Sequence, residues 1–124
     1  NALYKNFLKK AEEFFNGMNL AFDRGEWDMA VVAAVHCGIS SADALTVYFR
    51  GVRHTGQKHE DVVKLLNDIP LDNMKNKVQQ LLNLLRLKSS AEYQTTLMTR
   101  PNASNAVKEA ERFFKWAKET LEDR

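Results

Sequence analysis

The 124-residue chain contains one cysteine, two prolines and five glycines. The lone thiol, Cys37, excludes an internal disulfide and a zinc site made of cysteines alone. It also favours a reducing compartment, so we expect a cytoplasmic protein. No apolar run in the sequence approaches the ~20 residues that cross a bilayer, and no basic stretch followed by an apolar one opens the chain. We therefore expect no membrane span and no secretory signal.

The net charge of +2 is too small to indicate a nucleic-acid partner by itself. Residues 73–91 lack acidic side chains and form a local basic strip, which contains Lys75, Lys77, Arg86 and Lys88. A solvated helix face is the simpler interpretation of this strip. The composition, 44% hydrophobic and 27% charged, is that of an ordinary globular protein. The length fits a single domain over residues 1–124.

Apolar residues recur at helical spacing along most of the chain, and no convincing strand alternation appears. The first helix is predicted from Ala2 to about Arg24, with Gly25 as its left-handed end. Its apolar stripe consists of Leu3, Phe7, Ala11, Phe14, Met18 and Ala21. A second helix begins at Glu26 and is apolar on nearly all sides, so we expect it at the centre of the fold.

Three further helices follow. A short one is predicted from Lys58 to about Asn67, after a turn at Thr55-Gly56. The fourth has Asp72 as its expected N-cap and a kink or end at Ser89-Ser90. A loop from Tyr93 to Arg100 leads to the last helix, which keeps a strict four–three rhythm: Ala103, Val107, Ala110, Phe114, Ala117 and Leu121. The prediction is an all-α, antiparallel bundle of about five helices, four long and one short.

The central helix carries an unexpected polar row. His36, Asp43 and Arg50 are seven residues apart and stack along one side, with Ser40 beside them. Polar groups in a buried helix must be hydrogen-bonded or functional. The simpler interpretation makes His36 a satisfied core or dimer-seam histidine and Asp43 a partner of His36 or of Arg50.

The end of this helix carries the candidate chemistry. Five residues separate Arg53 from His59, and His54 supplies a second imidazole. Such a pair arises roughly 0.5 times by chance in a chain of this composition, the usual risk with a short motif. Its context adds weight, because His59 falls in the first turn of the next predicted helix, where free N–H groups attract phosphate. Arg53 also has a plain interpretation, a cation that complements a helix C-terminus.

The chain resembles the HEPN domain (higher eukaryotes and prokaryotes nucleotide-binding) over almost its whole length. Four segments carry the resemblance: Trp27 to Ala30, Ala34 to Leu45, Arg53 to His59, and Ala110 to Ala117. The arginine–histidine pair is the sharp motif, and the rest is pattern. The resemblance implies a helical bundle that forms a homodimer and brings two such motifs to a shared cleft.

The resemblance implies a metal-independent endoribonuclease of the kind that forms the toxin half of a toxin–antitoxin pair. His59 would act as general base or acid, and Arg53 would bind the scissile phosphate. His54 would be a second proton carrier or a phosphate contact, and the product would carry a 2′,3′-cyclic phosphate. No cofactor is expected, and the histidines lack zinc spacing. The glutamate and lysine–arginine motif of some catalytic members has no clear match here.

Two alternatives remain open. Other members of the family are not nucleases and bind a nucleotide or a partner such as a nucleotidyltransferase. The third interpretation is a structural helical scaffold without a ligand. Tyr93 either lines the cleft or packs the loop that follows it, and we expect the latter.

Overall fold

The computed structural model describes residues 2–53 and 59–122, with the side chains of residues 59 and 60 excepted. Within these residues the chain forms five helices and no strand. They are α1 (Tyr4–Asp23), α2 (Trp27–Arg50), α3 (His59–Asn67), α4 (Met74–Tyr93) and α5 (Arg100–Glu122). Four are long and α3 is short, so the predicted all-α bundle is confirmed.

Helices α1 and α2 form a tight antiparallel hairpin. Gly25 takes the predicted left-handed conformation, with a φ of 73°, and the next helix begins two residues later. Ala11, Met18 and Ala21 of the predicted stripe are buried, whereas Leu3 and Phe14 are exposed. The stripe is therefore buried at Ala11, Met18 and Ala21 and exposed at Leu3, before the helix, and at Phe14, in its middle.

Helix α2 lies at the centre, as its composition predicts. Fifteen of its 24 residues are buried, because α1, α4 and α5 all pack against it. Helix α4 approaches α2 closely at Gly38, where a Cβ atom would lie 2.8 Å from Leu84 Cδ1. The buried hydroxyl of Ser41 donates to the carbonyl oxygen of Cys37 at 2.8 Å. Buried polar groups on this helix are thus satisfied partly by its own backbone.

The expectation that no segment has the length and composition of a membrane span is wrong for α2. The sequence shows no uninterrupted apolar run of bilayer length, yet residues 27–50 form one helix that is long and apolar enough to cross a membrane by length and composition. In the fold, the rest of the protein buries 83% of the most apolar 18-residue stretch of this helix. Most of the small and polar residues that interrupt the apolar run are buried inside the bundle, namely Gly38, Ser40, Ser41, Asp43 and Thr46. Packing within the fold therefore accounts for the apolar surface of this helix.

Two details of α4 differ from prediction. Asn73, not Asp72, occupies the N-terminal capping position, in the left-handed conformation and without a side-chain hydrogen bond. The helix also continues through Ser89-Ser90 to Tyr93. Serine lowers helix propensity only modestly. Leu84 and Leu85 are buried one turn earlier, and their packing favours the helix against this small cost.

The last helix follows its predicted pattern. All six residues of its four–three rhythm are buried, and Phe113 and Ala106 join them. α5 begins at Arg100, one residue before the predicted Pro101. The predicted Thr55-Gly56 turn and the predicted start of α3 at Lys58 lie outside the described residues.

Candidate functional site

A cleft of about 470 Å³ opens between α1 and α2. Its walls come from one face of each helix and from Arg53, which lies three residues after the end of α2. The lining residues are Phe7, Lys10, Glu13 and Phe14 from α1, His36, Ile39, Ser40 and Asp43 from α2, and Arg53. Their spacings of three, four and seven place each set on one helix face. The predicted polar row and the predicted motif arginine therefore meet in the same cleft.

Arg53 is held at one end of the cleft. Its Nη2 lies 3.7 Å from Asp43 Oδ2, and the Asp43 side chain is only 5% exposed. Its guanidinium carbon lies 5.0 Å from the ring centroid of Phe7, within the range of a cation–π contact. A nearly buried carboxylate and an aromatic face thus orient a half-exposed arginine. The sequence pattern did not indicate Arg53 as a partner of Asp43.

His36 is held at the other end. Its Nε2 lies 3.0 Å from Glu92 Oε1. Its ring stacks on Phe14, with centroids 5.3 Å apart and an interplanar angle of 29°. The His36 side chain is 35% exposed and that of Glu92 is 16% exposed. His36 is therefore hydrogen-bonded, but at this exposure it is a cleft residue and not a core histidine, and its partner is a residue of α4 that the sequence pattern did not indicate.

Glu92 is not among the predicted site residues, because the predicted kink or end of α4 at Ser89-Ser90 precedes it. One further turn of helix brings the Glu92 carboxylate to α2, and Lys88 lies one turn before it with its Nζ 3.9 Å from Glu92 Oε2. A lysine–glutamate pair at i, i+4 is a pattern that supports a continuous helix. That signal could have extended the predicted helix to Tyr93.

The charges of the described residues that line the cleft balance each other. Two cations, Lys10 and Arg53, face two carboxylates, Glu13 and Asp43. Both cations lie within 6 Å of the ring centroid of Phe7. The cleft therefore offers directed donors to a ligand rather than a broad positive field.

The remaining predicted site residues are placed as follows. Arg50 is exposed and does not line the cleft. Tyr93 ends α4 and is 75% exposed, so it neither lines the cleft nor packs against the core. His54 lies outside the described residues. His59 is the first residue of α3, but its side chain is not part of the described structure. Among the residues described, no group of three His, Cys, Asp or Glu side chains could hold a metal.

The basic strip of α4 is divided between two faces. Positions 75 and 86 differ by eleven residues and share one side, while positions 77 and 88 share roughly the opposite side. Lys77 turns toward α5, where its Nζ lies 5.7 Å from the ring of Trp116. Burial, and then the charge of Arg112, lowers the pKa of Lys77. The strip is therefore not a continuous binding surface.

Cys37 faces the core rather than the cleft. Its side chain is fully buried, and this burial raises the pKa of the thiol to about 12. A thiol that stays protonated is a poor nucleophile and a poor metal ligand. The prediction that Cys37 acts as a small core hydrophobe agrees with this environment.

The fold and the cleft define a small all-α domain with a polar site between its first two helices. The sequence model of the HEPN domain matches residues 4–120. The chain therefore belongs to the HEPN domain family, and the resemblance found in the sequence is confirmed.

Solved structures agree with this assignment at the level of the fold. The TT1696 protein of Thermus thermophilus superposes with a TM-score of 0.77 at 19% identity, and the match covers 94% of this chain and 97% of that one. ST0689, an archaeal HEPN homologue, gives a TM-score of 0.72 at 17% identity, covering 95% and 97%. A search of curated protein sequences finds no significant match.

Proposed function

We propose that this HEPN domain is a metal-independent endoribonuclease whose site is the α1–α2 cleft. The observation that carries the proposal is the placement of Arg53. Its guanidinium is oriented by Asp43 at 3.7 Å and by the Phe7 ring at 5.0 Å, at the edge of an open cleft. An arginine held in this way can offer its remaining N–H donors to a phosphate without reorganising.

The chemistry requires one phosphoryl transfer and two proton transfers. A base removes the proton of a ribose 2′-hydroxyl, and the 2′-oxygen attacks the adjacent phosphorus. The bond from phosphorus to the 5′-oxygen breaks, and an acid protonates that oxygen. Arg53 would stabilise the charge that develops on the non-bridging oxygens. His59, six residues further on, would carry one of the two protons, and His54 would be a second carrier or a phosphate contact.

Assembly and context are part of the same proposal. A homodimer would bring two Arg53–His59 motifs to a shared cleft, and an antitoxin protein in the cytoplasm would be the expected partner of a toxin. Light scattering of the purified protein tests the dimer, and a monomer at micromolar concentration would contradict it.

The direct test is RNA cleavage in the presence of EDTA. The wild type should cleave and leave 2′,3′-cyclic phosphate ends. We expect His59→Ala to lower the rate by about 10²–10⁴-fold, the usual contribution of a general acid or base. Arg53→Ala should lower it similarly, by removing stabilisation of the transition state. Arg86→Ala is the control, since Arg86 is exposed on α4 and does not line the cleft. Equal activity of all four proteins would refute the proposal.

The balanced charge of the cleft favours a second candidate, a module that binds a nucleotide or a nucleotidyltransferase without cleaving RNA. Two carboxylates in the lining suit one small phosphate ester better than a long polyanion. Here the wild type would leave RNA intact but gain thermal stability with a mononucleotide or with the co-expressed partner, and Arg53→Ala would lose the gain with the nucleotide. A protein that neither cleaves nor is stabilised would be a helical scaffold.

A further inference from the structure

We propose that His36 is the general base of the cleft and that Glu92 is its positioning residue. This inference rests on the proposed ribonuclease function and assigns the second proton transfer, which the Arg53–His59 pair leaves open. It implies that His59 acts as the acid. Three features support it: the contacts of the imidazole with Glu92 and Phe14, its position in the same cleft as Arg53, and a second ring nitrogen that can accept a proton.

The contacts of His36 fix both its ring plane and its protonation pattern. The two atoms are 3.0 Å apart, and an ionised Glu92 side chain can only accept, so with Glu92 in that form Nε2 is the donor. In a neutral imidazole the other nitrogen, Nδ1, then holds the lone pair and can accept a proton. Stacking on Phe14 holds the plane of the ring. A carboxylate partner of this kind also stabilises the imidazolium that forms when the base has accepted a proton.

The position of His36 relative to Arg53 suits a single ribose-phosphate unit. His36, Ser40 and Asp43 lie on the same face of α2, and all three line the cleft. His36 and Asp43 are seven positions apart in the helix, so their Cα atoms are about 10 Å apart. Both ends of this span carry side chains that reach into the cleft. A ribose phosphate whose phosphate binds the guanidinium at Asp43 can extend along this span, which would bring its 2′-hydroxyl toward the imidazole.

The step balances without any further reactant. Neutral His36 accepts the proton of the 2′-hydroxyl while the new bond between the 2′-oxygen and phosphorus forms. The bond from phosphorus to the 5′-oxygen breaks, and protonated His59 delivers a proton to the leaving oxygen. The enzyme ends with His36 protonated and His59 neutral, and proton exchange with water restores the starting state.

Substrates with a sulfur leaving group distinguish a base from an acid. In an RNA whose scissile 5′-oxygen is replaced by sulfur, the thiolate departs without being protonated. His59→Gln should therefore recover most of its lost rate on this substrate. His36→Gln should remain at least about 100-fold slower than the wild type on both substrates, because the attacking hydroxyl still needs a base. Recovery of His36→Gln on the sulfur substrate would overturn the assignment.

A structural role for the His36–Glu92 contact predicts something different. If the pair only ties α2 to the end of α4, His36→Gln would lower the melting temperature and leave the rate per folded molecule unchanged. Rates are therefore normalised to the folded fraction measured by circular dichroism. An active His36→Gln beside an inactive His59→Gln would refute this inference and leave the ribonuclease proposal standing. A wild type that does not cleave RNA would refute both.

Nitrogen-15 NMR tests the positioning role without relying on turnover. The chain has three histidines, so each imidazole signal can be assigned by single substitution. In the wild type His36 should show the tautomer protonated at Nε2, and Glu92→Ala should lose this preference and lower kcat more than it raises KM. Lys88→Ala is the matched control, since it removes the other contact of Glu92. An unchanged tautomer in Glu92→Ala would rule out positioning by Glu92. A His36 signal that a 2′,3′-cyclic mononucleotide does not shift would refute contact with substrate.

Discussion

Replacing Gly38 with alanine should destabilise the fold although alanine is the better helix former. A methyl group there would lie 2.8 Å from Leu84 Cδ1 and 3.2 Å from Leu81 Cδ1. Both leucines are fully buried, so neither can swing into solvent. Overpacking of a core costs about 1–3 kcal/mol, and the gain in helix propensity is about 0.8–1.0 kcal/mol. The free energy of unfolding should therefore fall by about 0–2 kcal/mol.

Gly17 supplies a matched control within another long helix. It lies in the interior of α1, and a Cβ atom there would have no neighbour within 4 Å. Gly17→Ala should therefore gain the full propensity difference, about 0.8–1.0 kcal/mol. The difference between the two alanine variants removes the propensity contribution and leaves the packing cost at Gly38, about 1–3 kcal/mol.

Urea denaturation followed by circular dichroism at 222 nm measures both variants. In a thermal scan each kcal/mol corresponds to about 3–5 °C for a chain of this size. Combining Gly38→Ala with Leu84→Val should cost less than the two single changes added together, because the shorter side chain relieves the contact. Equal stabilisation by both alanine variants would show that α4 withdraws without cost, and would refute the packing argument.

Two further predictions concern Cys37 and Asp28. With the pKa of the Cys37 thiol raised to about 12, the unfolded chain loses this proton at lower pH than the folded one. The free energy of unfolding should then fall by up to about 1.4 kcal/mol per pH unit above pH 9, a component that Cys37→Ala should lack. The Asp28 carboxylate accepts the Met98 N–H at 2.6 Å. Asp28→Ala should cost about 1–2 kcal/mol and speed proteolysis at residues 94–99, whereas exposed Asp72→Ala should do neither.

The sequence predicted the helices best where the pattern was local. The rhythm of α5 and the glycine at the end of α1 depend on residues close in the chain, and both are confirmed. The predicted end of α4 at Ser89-Ser90 was wrong. A serine pair lowers helix propensity only slightly, whereas Leu84 and Leu85 pack against residues that are distant in the sequence. A local sequence pattern reports helix propensity but not tertiary packing, so it cannot show which of the two determines the helix end.

The candidate site was predicted as two separate features. The polar row of α2 and the motif residue Arg53 were found, but the ion pair that joins Asp43 to Arg53 was not. That contact depends on how the chain turns after α2, which the sequence pattern does not specify. Glu92 was missed for a related reason, since its role depends on one more turn of α4. Side-chain pairs between elements were therefore the least predictable part of the site.

The turn after α2 explains why an arginine beyond the helix reaches back to a residue within it. Gly51 ends α2 with a φ of 70° and donates its N–H to Val47, and Arg53 then returns to Asp43. Among the described residues, no atom lies within 4 Å of a Cβ at Gly51, so the expected cost of alanine is backbone strain of about 1–2 kcal/mol. Gly25→Ala carries the same strain at a φ of 73°, but Gly25 is not next to a cleft residue, whereas Arg53 lies two residues after Gly51.

Gly51→Ala and Gly25→Ala should therefore lose similar stability but differ in function. If the left-handed turn sets the approach of Arg53 to Asp43, Gly51→Ala should reduce nucleotide binding or RNA cleavage per folded molecule, and Gly25→Ala should not. Relief of the strain by a shift of the backbone would move Arg53 away from the buried carboxylate that holds it. Equal function in both variants would show that Asp43 and Phe7 position the guanidinium without help from the turn. The contacts of Arg53, and not the conformation of Gly51, would then determine the geometry of the cleft.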